Sequence, residues 1–340
     1  MKKLLFLLLF IVMIQICFGQ RPRLKQYYHW INQAELAICD SNYLKASSCY
    51  DKAFRCHNPF SHDVLNAFTL NLKLIENEDS ALRCFYYLAK MGDDTNWYVD
   101  DTVKYQTLWE KMKIITDTTS KSVDEELSDT INSIFRSDQE IRKICFNDEV
   151  EAEKQILFVD SCNWIALQNL YSKYSIINEY TCGIIPLRPA FSYHLCREFG
   201  IEPKQFFLQE VLKGNINASL YAHVEDNCFE ILSNATTPQT LYGTNVSYVY
   251  SIDSVLFIIE PNNLAEVTKN RKKIFLETWK DYVRKVIWQY THNSEIILVT
   301  KVSVHSNSNQ DEKKMNELKQ AIDDKSIKGQ YIEIPLKCRL

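Results

Sequence analysis

Glycine is scarce in this chain of 340 residues: there are seven, and none falls in a GxGxxG, GxxxxGK or GxSxG setting. Phosphate-cradling loops and serine nucleophile elbows need glycines at fixed, close spacing so that the backbone can turn sharply against a ligand or a helix. Nucleotide binding by such loops and serine-elbow hydrolysis are therefore not expected. No two of the eleven cysteines stand in CxxC spacing, and no HExxH occurs, so zinc is disfavoured, no metal site is expected and no cofactor can be assigned. An excess of basic residues is missing too, with 39 Lys and Arg against 43 Asp and Glu. The one dense basic run, Lys269 to Lys273, lies in a helical pattern where a solvated face accounts for it, so nucleic acid is not an expected partner.

What is present begins with an address. Lys2 and Lys3 precede an unbroken apolar run from Leu4 to Ile14, and Cys17 and Gly19 stand at the minus-three and minus-one positions of a cleavage site before Gln20. This reads as a signal peptide over 1–19 and an exported chain, periplasmic or extracellular. A membrane anchor is the weaker alternative, because about 20 apolar residues are needed to span a bilayer and Gln15, Arg21, Arg23 and Lys25 come too soon. Lipid attachment at Cys17 is weaker still, since the bulky Ile16 stands where such signals carry a small residue. Cleavage removes two lysines and no acid, taking the net charge from −4 to −6, and leaves ten cysteines. Disulfides and simple burial as small apolar residues both remain open for them. With 19 Tyr and 17 Phe, the chain has the aromatic content of packed globular structure rather than disorder.

Residues 27–92 contain one helical hairpin written twice. Trp30, Ala34, Ala46, Tyr50 and Ala53 are matched at an offset of 35 by Leu65, Thr69, Ala81, Phe85 and Leu88. Helices are predicted over Arg21 to Ile38, Tyr43 to Arg55, Ser61 to Ile75 and Asp79 to Lys90, with Asp79 as N-cap and Gly92 as stop. A helix from Val103 to Ile114 is expected to cap the stack, with Trp97, Tyr98 and Trp109 as its aromatics. The period and the small residues at contact positions resemble tetratricopeptide repeats, whose usual role is to bind a protein or peptide. The concave face would carry Asn32, Glu35, Asn66 and Asn71, while His29, His57 and His62 read as surface or packing residues.

The segment 117–130 turns polar and is read as a linker. Beyond it, helices are predicted over Ile131 to Phe146, Ala152 to Tyr174, Pro189 to Phe199, Pro203 to Lys213 and Ala218 to Leu232. Alternation at Val246, Tyr248 and Tyr250, then Val255, Phe257 and Ile259, predicts a hairpin turning at Asp253 and Ser254. A long helix from Leu264 to Tyr290, a strand from Glu295 to Val304, a charged helix from Gln310 to Asp324 and a strand from Tyr331 to Leu336 complete the pattern. The expected fold is thus mainly α: a short α-solenoid of tetratricopeptide-like hairpins (20–116), then a helical α+β domain (131–340) with a small C-terminal β element.

Within residues 130 to 290 the order of several short motifs resembles a bacterial domain family of unknown function found behind helical repeats in exported proteins. These motifs are Asp138-Gln139 with Arg142, Asp160 with Asn163, His194, Asp226, Tyr242-Gly243-Thr244 preceded by Gln239, and Arg271 followed by Trp279 and Tyr282. The stretch from Ser175 to Cys182 departs from that pattern. The resemblance implies no activity.

Taken by themselves, Asp138 and Arg142, Asp160 and Asn163, His223 and Asp226, and His194 and Glu198 are each three or four apart, hence on shared helix faces. If those faces converge, His194, His223, Asp226 and Asp160 are the candidate acid, base or nucleophile-activating groups, and Asp138, Gln139, Arg142, Asn163, Tyr242 and Thr244 the candidate ligand-binding groups. A purely structural role, with these groups capping and tying helices, competes with that reading. Gly243 is expected to take a positive φ at the entry to the hairpin. Two functions follow: an exported protein or peptide interaction module, or an uncharacterised hydrolase or small-ligand or metal-binding domain built on this polar cluster.

Overall fold

In the computed structural model, helices dominate and β structure is confined to one small sheet near the C-terminus. It describes residues 2–93, 106–144, 148–184, 189–233, 240–245, 247–250, 255–292, 294–299, 303–305 and 309–334, and of these the side chains from residue 21 onward except 189–191, 230–233, 247–250, 303–305, 309–312, 314 and 333. Trp97, Tyr98, Gln239, Val246, Asp253, Ser254 and the side chains of residues 2–20 lie outside that set. Among the described residues no helix is long and apolar enough to cross a membrane.

Helices α1 (Lys2–Cys39) and α2 (Tyr43–Cys56) make the first hairpin, and α3 (Ser61–Thr69) and α4 (Glu78–Lys90) the second. The small residues predicted at the contacts are buried, among them Ala34, Ala37, Ala46, Ala53 and Ala81, together with Tyr50, Phe85 and Leu88. Caps decide the boundaries. Asn42 accepts from the Lys45 amide at 3.3 Å and Asn77 from the Ser80 amide at 3.0 Å, so Asn77 rather than Asp79 starts α4. Gly92 turns the chain at φ 78°. The second hairpin departs from the first where Leu70–Leu74 widens into a π turn. There the Asn71 side chain donates to the Ala67 carbonyl at 2.7 Å, the acceptor an α-helical amide would use, and the ladder slips to Ile75 N on Leu70 O.

Helix α5 (Gln106–Thr118) follows, and 119–124 is a non-helical connector inside the polar stretch. Asp124 then caps α6 (Glu125–Ile141), which starts six residues earlier than expected. Helices α7 (Glu149–Lys173), α8 (Glu179–Cys182), α9 (Pro189–Phe199), α10 (Ile201–Lys213) and α11 (Ala218–Ser233) come next. One buried apolar cluster runs from Leu24 through to Leu298, so the connector interrupts the chain's helices without interrupting its core.

The hairpin β1 (Ser247–Tyr250) and β2 (Val255–Ile259) is antiparallel as expected, and sits in a sheet of order β3-β1-β2-β4 with β3 (Ser303–His305) parallel to β1. All five residues of β2 are buried because the sheet is covered on both faces. Leu256 and Ile258 pack with Val286 of one helix, and Val255 and Phe257 with Met315 of another. The single helix expected over 264 to 290 is instead two, α12 (Leu264–Lys273) and α13 (Trp279–Thr291). Phe275 adopts φ 66° between them and Thr278 caps the second through the Asp281 amide. The expected strand from Glu295 is also shorter. Side chains take the ladder's place over Ile297 to Val299: Asn66 bonds both the amide and the carbonyl of Ile297, and Gln289 accepts from Leu298 and Val299. Helix α14 (Asn309–Asp323) and β4 (Gly329–Glu333) close the fold.

Candidate functional site

The ten residues singled out from the sequence fall into two separate networks. In the first, Asp138 on α6 and Asp160 on α7 are fully buried, and Arg142 bridges them at 2.8 and 2.7 Å. His194 on α9 reaches Asp138 at 2.9 Å, Gln139 donates to Asp138 at 2.5 Å, and Asn163 accepts from Ser137 at 2.8 Å. This network ties three helices together. In the second, the Asp226 carboxylate accepts the amides of Leu241, Tyr242 and Thr244 and the Thr244 hydroxyl, at 2.6 to 2.8 Å. It thereby clamps the turn in which Gly243 has φ 75° and a Cβ would lie 2.7 Å from Trp279. His223 bonds Asn227 at 3.1 Å, one turn along its own helix. Tyr242 packs edge-on to Tyr221.

A third group of residues surrounds a cavity of about 240 Å³ between the N-terminal hairpins and α12–α13. Of the ten candidates only Thr244 lines it; His194, His223, Asp226 and Asp160 do not. Helix α1 contributes Tyr28, Asn32 and Glu35, which the helical repeat stacks on one face. The first turn of α3 contributes Ser61, His62 and Asp63, and α13 contributes Tyr282 and Lys285, three apart. Glu179, Arg271 and Glu277 complete the charged lining.

Each charge is held from behind. Glu179 accepts from the Ser61 amide at 2.6 Å and its hydroxyl at 2.7 Å, so a carboxylate from α8 caps α3, whose N-terminus favours negative charge. The Tyr27 hydroxyl accepts from the Phe60 amide at 3.1 Å and donates to Asp63 Oδ2. Lys285 donates to Glu35 Oε2 and lies 3.3 Å from Glu277, which also pairs with Arg271 at 2.9 Å. Arg271, 2 % exposed, donates to the carbonyls of Tyr242 and Glu277 and stacks over the Tyr282 ring at 4.9 Å. The YGT turn and the cavity are thus linked through Arg271.

Four carboxyl groups and two basic side chains share this lining, and their ionisation reflects it. Burial pushes Glu35 up to about 7 despite Lys285, and pushes Asp63 up to about 7 despite the Tyr27 hydrogen bond. Burial raises Glu179 as well. For Glu277 burial acts upward, but Lys285 and Arg271 outweigh it and hold the carboxyl below its ordinary range. Burial lowers His62, keeping the imidazole neutral. Among the described residues, carboxyl groups therefore outnumber cationic groups around the cavity, and burial raises three of the four toward their neutral form.

The sequence puts Asn32 and Glu35 on a partner-binding face and His62 among surface or packing residues, and it does not single out Asp63, Glu179, Glu277 or Lys285. The consecutive His62 and Asp63 at a helix start after Pro59 were the one local signal. Asn66 and Asn71, also assigned to the partner face, are engaged within the chain, Asn66 on Ile297 and Asn71 on Ser47 and Ala67. The eight described cysteines are free thiols, five of them buried. No family model, curated protein or solved structure matches this chain.

Proposed function

We propose that this is an exported protein that holds a small, positively charged ligand in the cavity between its N-terminal helical hairpins and α12–α13. One observation carries the reading: among the described lining residues, the carboxyls of Glu35, Asp63, Glu179 and Glu277 outnumber the cations of Arg271 and Lys285 around a cavity of about 240 Å³. That volume is smaller than the roughly 300–1,000 Å³ of drug-sized ligand sites, so the ligand is compact. Tyr28, Phe60 and Tyr282 add aromatic surface to the same lining, which suits an organic cation. The small-ligand alternative of the sequence reading is kept, and its site moves from the Asp160 and His194 region to this cavity. The interaction-module reading loses support because Asn66 and Asn71 are spent inside the fold.

Export draws support from the leader and from Pro22. Proline lacks the amide that would bond the preceding turn, and it sits inside α1 of the uncleaved chain. After cleavage before Gln20 it would fall in a first helical turn, where proline is well accommodated. The likenesses to tetratricopeptide repeats over 20–116 and to the bacterial domain over 130 to 290 belong to this proposal.

Thermal-shift measurements with small amines, guanidinium compounds and divalent metal ions test it. A cation of one of these classes is expected to raise the unfolding midpoint by several degrees, because a ligand held only by the folded state stabilises it by mass action. Ser219→Trp, at a partly buried cavity-lining position, is expected to abolish the shift while leaving the unliganded midpoint within a few degrees. Absence of any shift across all three classes would refute the reading.

A further inference from the structure

We infer that Glu35, His62 and Asp63 form a binding site for one divalent metal ion of the zinc or manganese type, with coordination positions open to the cavity. The inference rests on the cation-binding reading above and names the cation. One ligating atom from each of the three residues lies within 4.8 Å of the other two, a separation that small side-chain adjustments convert into a shared coordination sphere. Two carboxylate oxygens and an imidazole nitrogen are the donor set that suits zinc or manganese. Three protein donors leave positions for water or a second ligand, as catalytic rather than structural metal sites do.

Outer contacts already orient the donors. Lys285 holds Glu35 through Oε2, and Tyr27 holds Asp63 through Oδ2. Among the described hydrogen bonds, Glu35 Oε1 and Asp63 Oδ1 carry no protein donor. His62 lies against Asn66, with Nε2 at 3.5 Å from its amide nitrogen. Such backing groups fix the ring and the carboxylates before a metal arrives.

One observation independent of the triad points to a bound cation. Asn32 lines the same cavity from the helix turn before Glu35, and its Oδ1 is buried with no hydrogen-bond partner; a metal or a metal-bound water would satisfy it. Lys285 opposes a neighbouring metal, and Glu277 beside it, paired also with Arg271, offsets that repulsion.

Chelator-stripped full-length mature protein should be titrated with Mn²⁺ or Zn²⁺ alone in a calorimeter, with Mn²⁺ binding read in parallel by loss of its free-ion electron paramagnetic resonance signal. One ion per chain is expected, and Asp63→Asn and His62→Gln should each weaken binding about 100-fold or more. His62 is only partly buried, so His62→Gln keeps the test usable if Asp63→Asn does not fold, with circular dichroism checking both. No binding by the wild-type protein, or equal binding by the folded His62→Gln variant, would overturn the assignment. A thermal shift with organic cations but none with metal would defeat this inference and leave the cavity reading standing.

Discussion

Asp226, Gly243 and Glu225 show how single residues act on this fold. Asp226 takes four hydrogen bonds from the turn at 241–244, and among the described hydrogen bonds its neighbour in spacing, His223, pairs with Asn227 instead. Gly243 is required by the same turn. A methyl group there meets both a positive φ and the Trp279 indole, so Gly243→Ala should lower unfolding free energy by about 2–3 kcal/mol, measured by urea denaturation; a loss below about 0.5 kcal/mol would show that the turn tolerates a side chain. Glu225 supplies a pH test away from the cavity. Burial raises its carboxyl to about 6, against the attraction of Lys204, and one of its oxygens is buried without a partner. A group that binds its proton more tightly when folded stabilises the protein at low pH, and loses that contribution as pH rises from the unfolded value near 4.5 through about 6. Wild-type stability should therefore fall relative to Glu225→Gln by about 2 kcal/mol across that window. Parallel pH profiles would show instead that Glu225 titrates normally.

At the scale of elements, the helices were legible because apolar residues recur at three- and four-residue spacing and because caps and stops are written locally, as at Asn42, Pro189 and Gly92. Misreadings arose where a side chain substitutes for the backbone. Asn71 turns the end of α3 into a π turn, Asn66 and Gln289 hold 297–299 without a strand ladder, and Phe275 in a left-handed conformation splits one expected helix into two. None of these leaves a periodicity signal. Asn77 illustrates the same point at a cap, since Asp79 two residues later has the same preference. Asn77→Ala should cost about 1 kcal/mol of stability by chemical denaturation, and Asp79→Ala clearly less; the reverse order would restore Asp79 as the cap.

For the whole molecule, the candidate site was mostly illegible because it is assembled across the length of the chain. Glu35 and Lys285 meet 250 residues apart, and Glu179 caps a helix that begins 118 residues earlier. Short spacings found Asp138 with Arg142 and Asp160 with Asn163, which do converge, around His194, but into a helix-tying network rather than the cavity. The same long-range contacts make one core of residues that composition divides at 117–130. Unfolding should accordingly be a single transition, coincident by tryptophan fluorescence and far-UV circular dichroism; two resolved transitions would show independent units on either side of the connector. The most direct measurement for the cavity itself is anomalous diffraction at the manganese edge from crystals grown with Mn²⁺. A single strong peak bounded by Glu35, His62 and Asp63 is the predicted result, and a peak at Asp138, Asp160 and His194, or none at all, would contradict it.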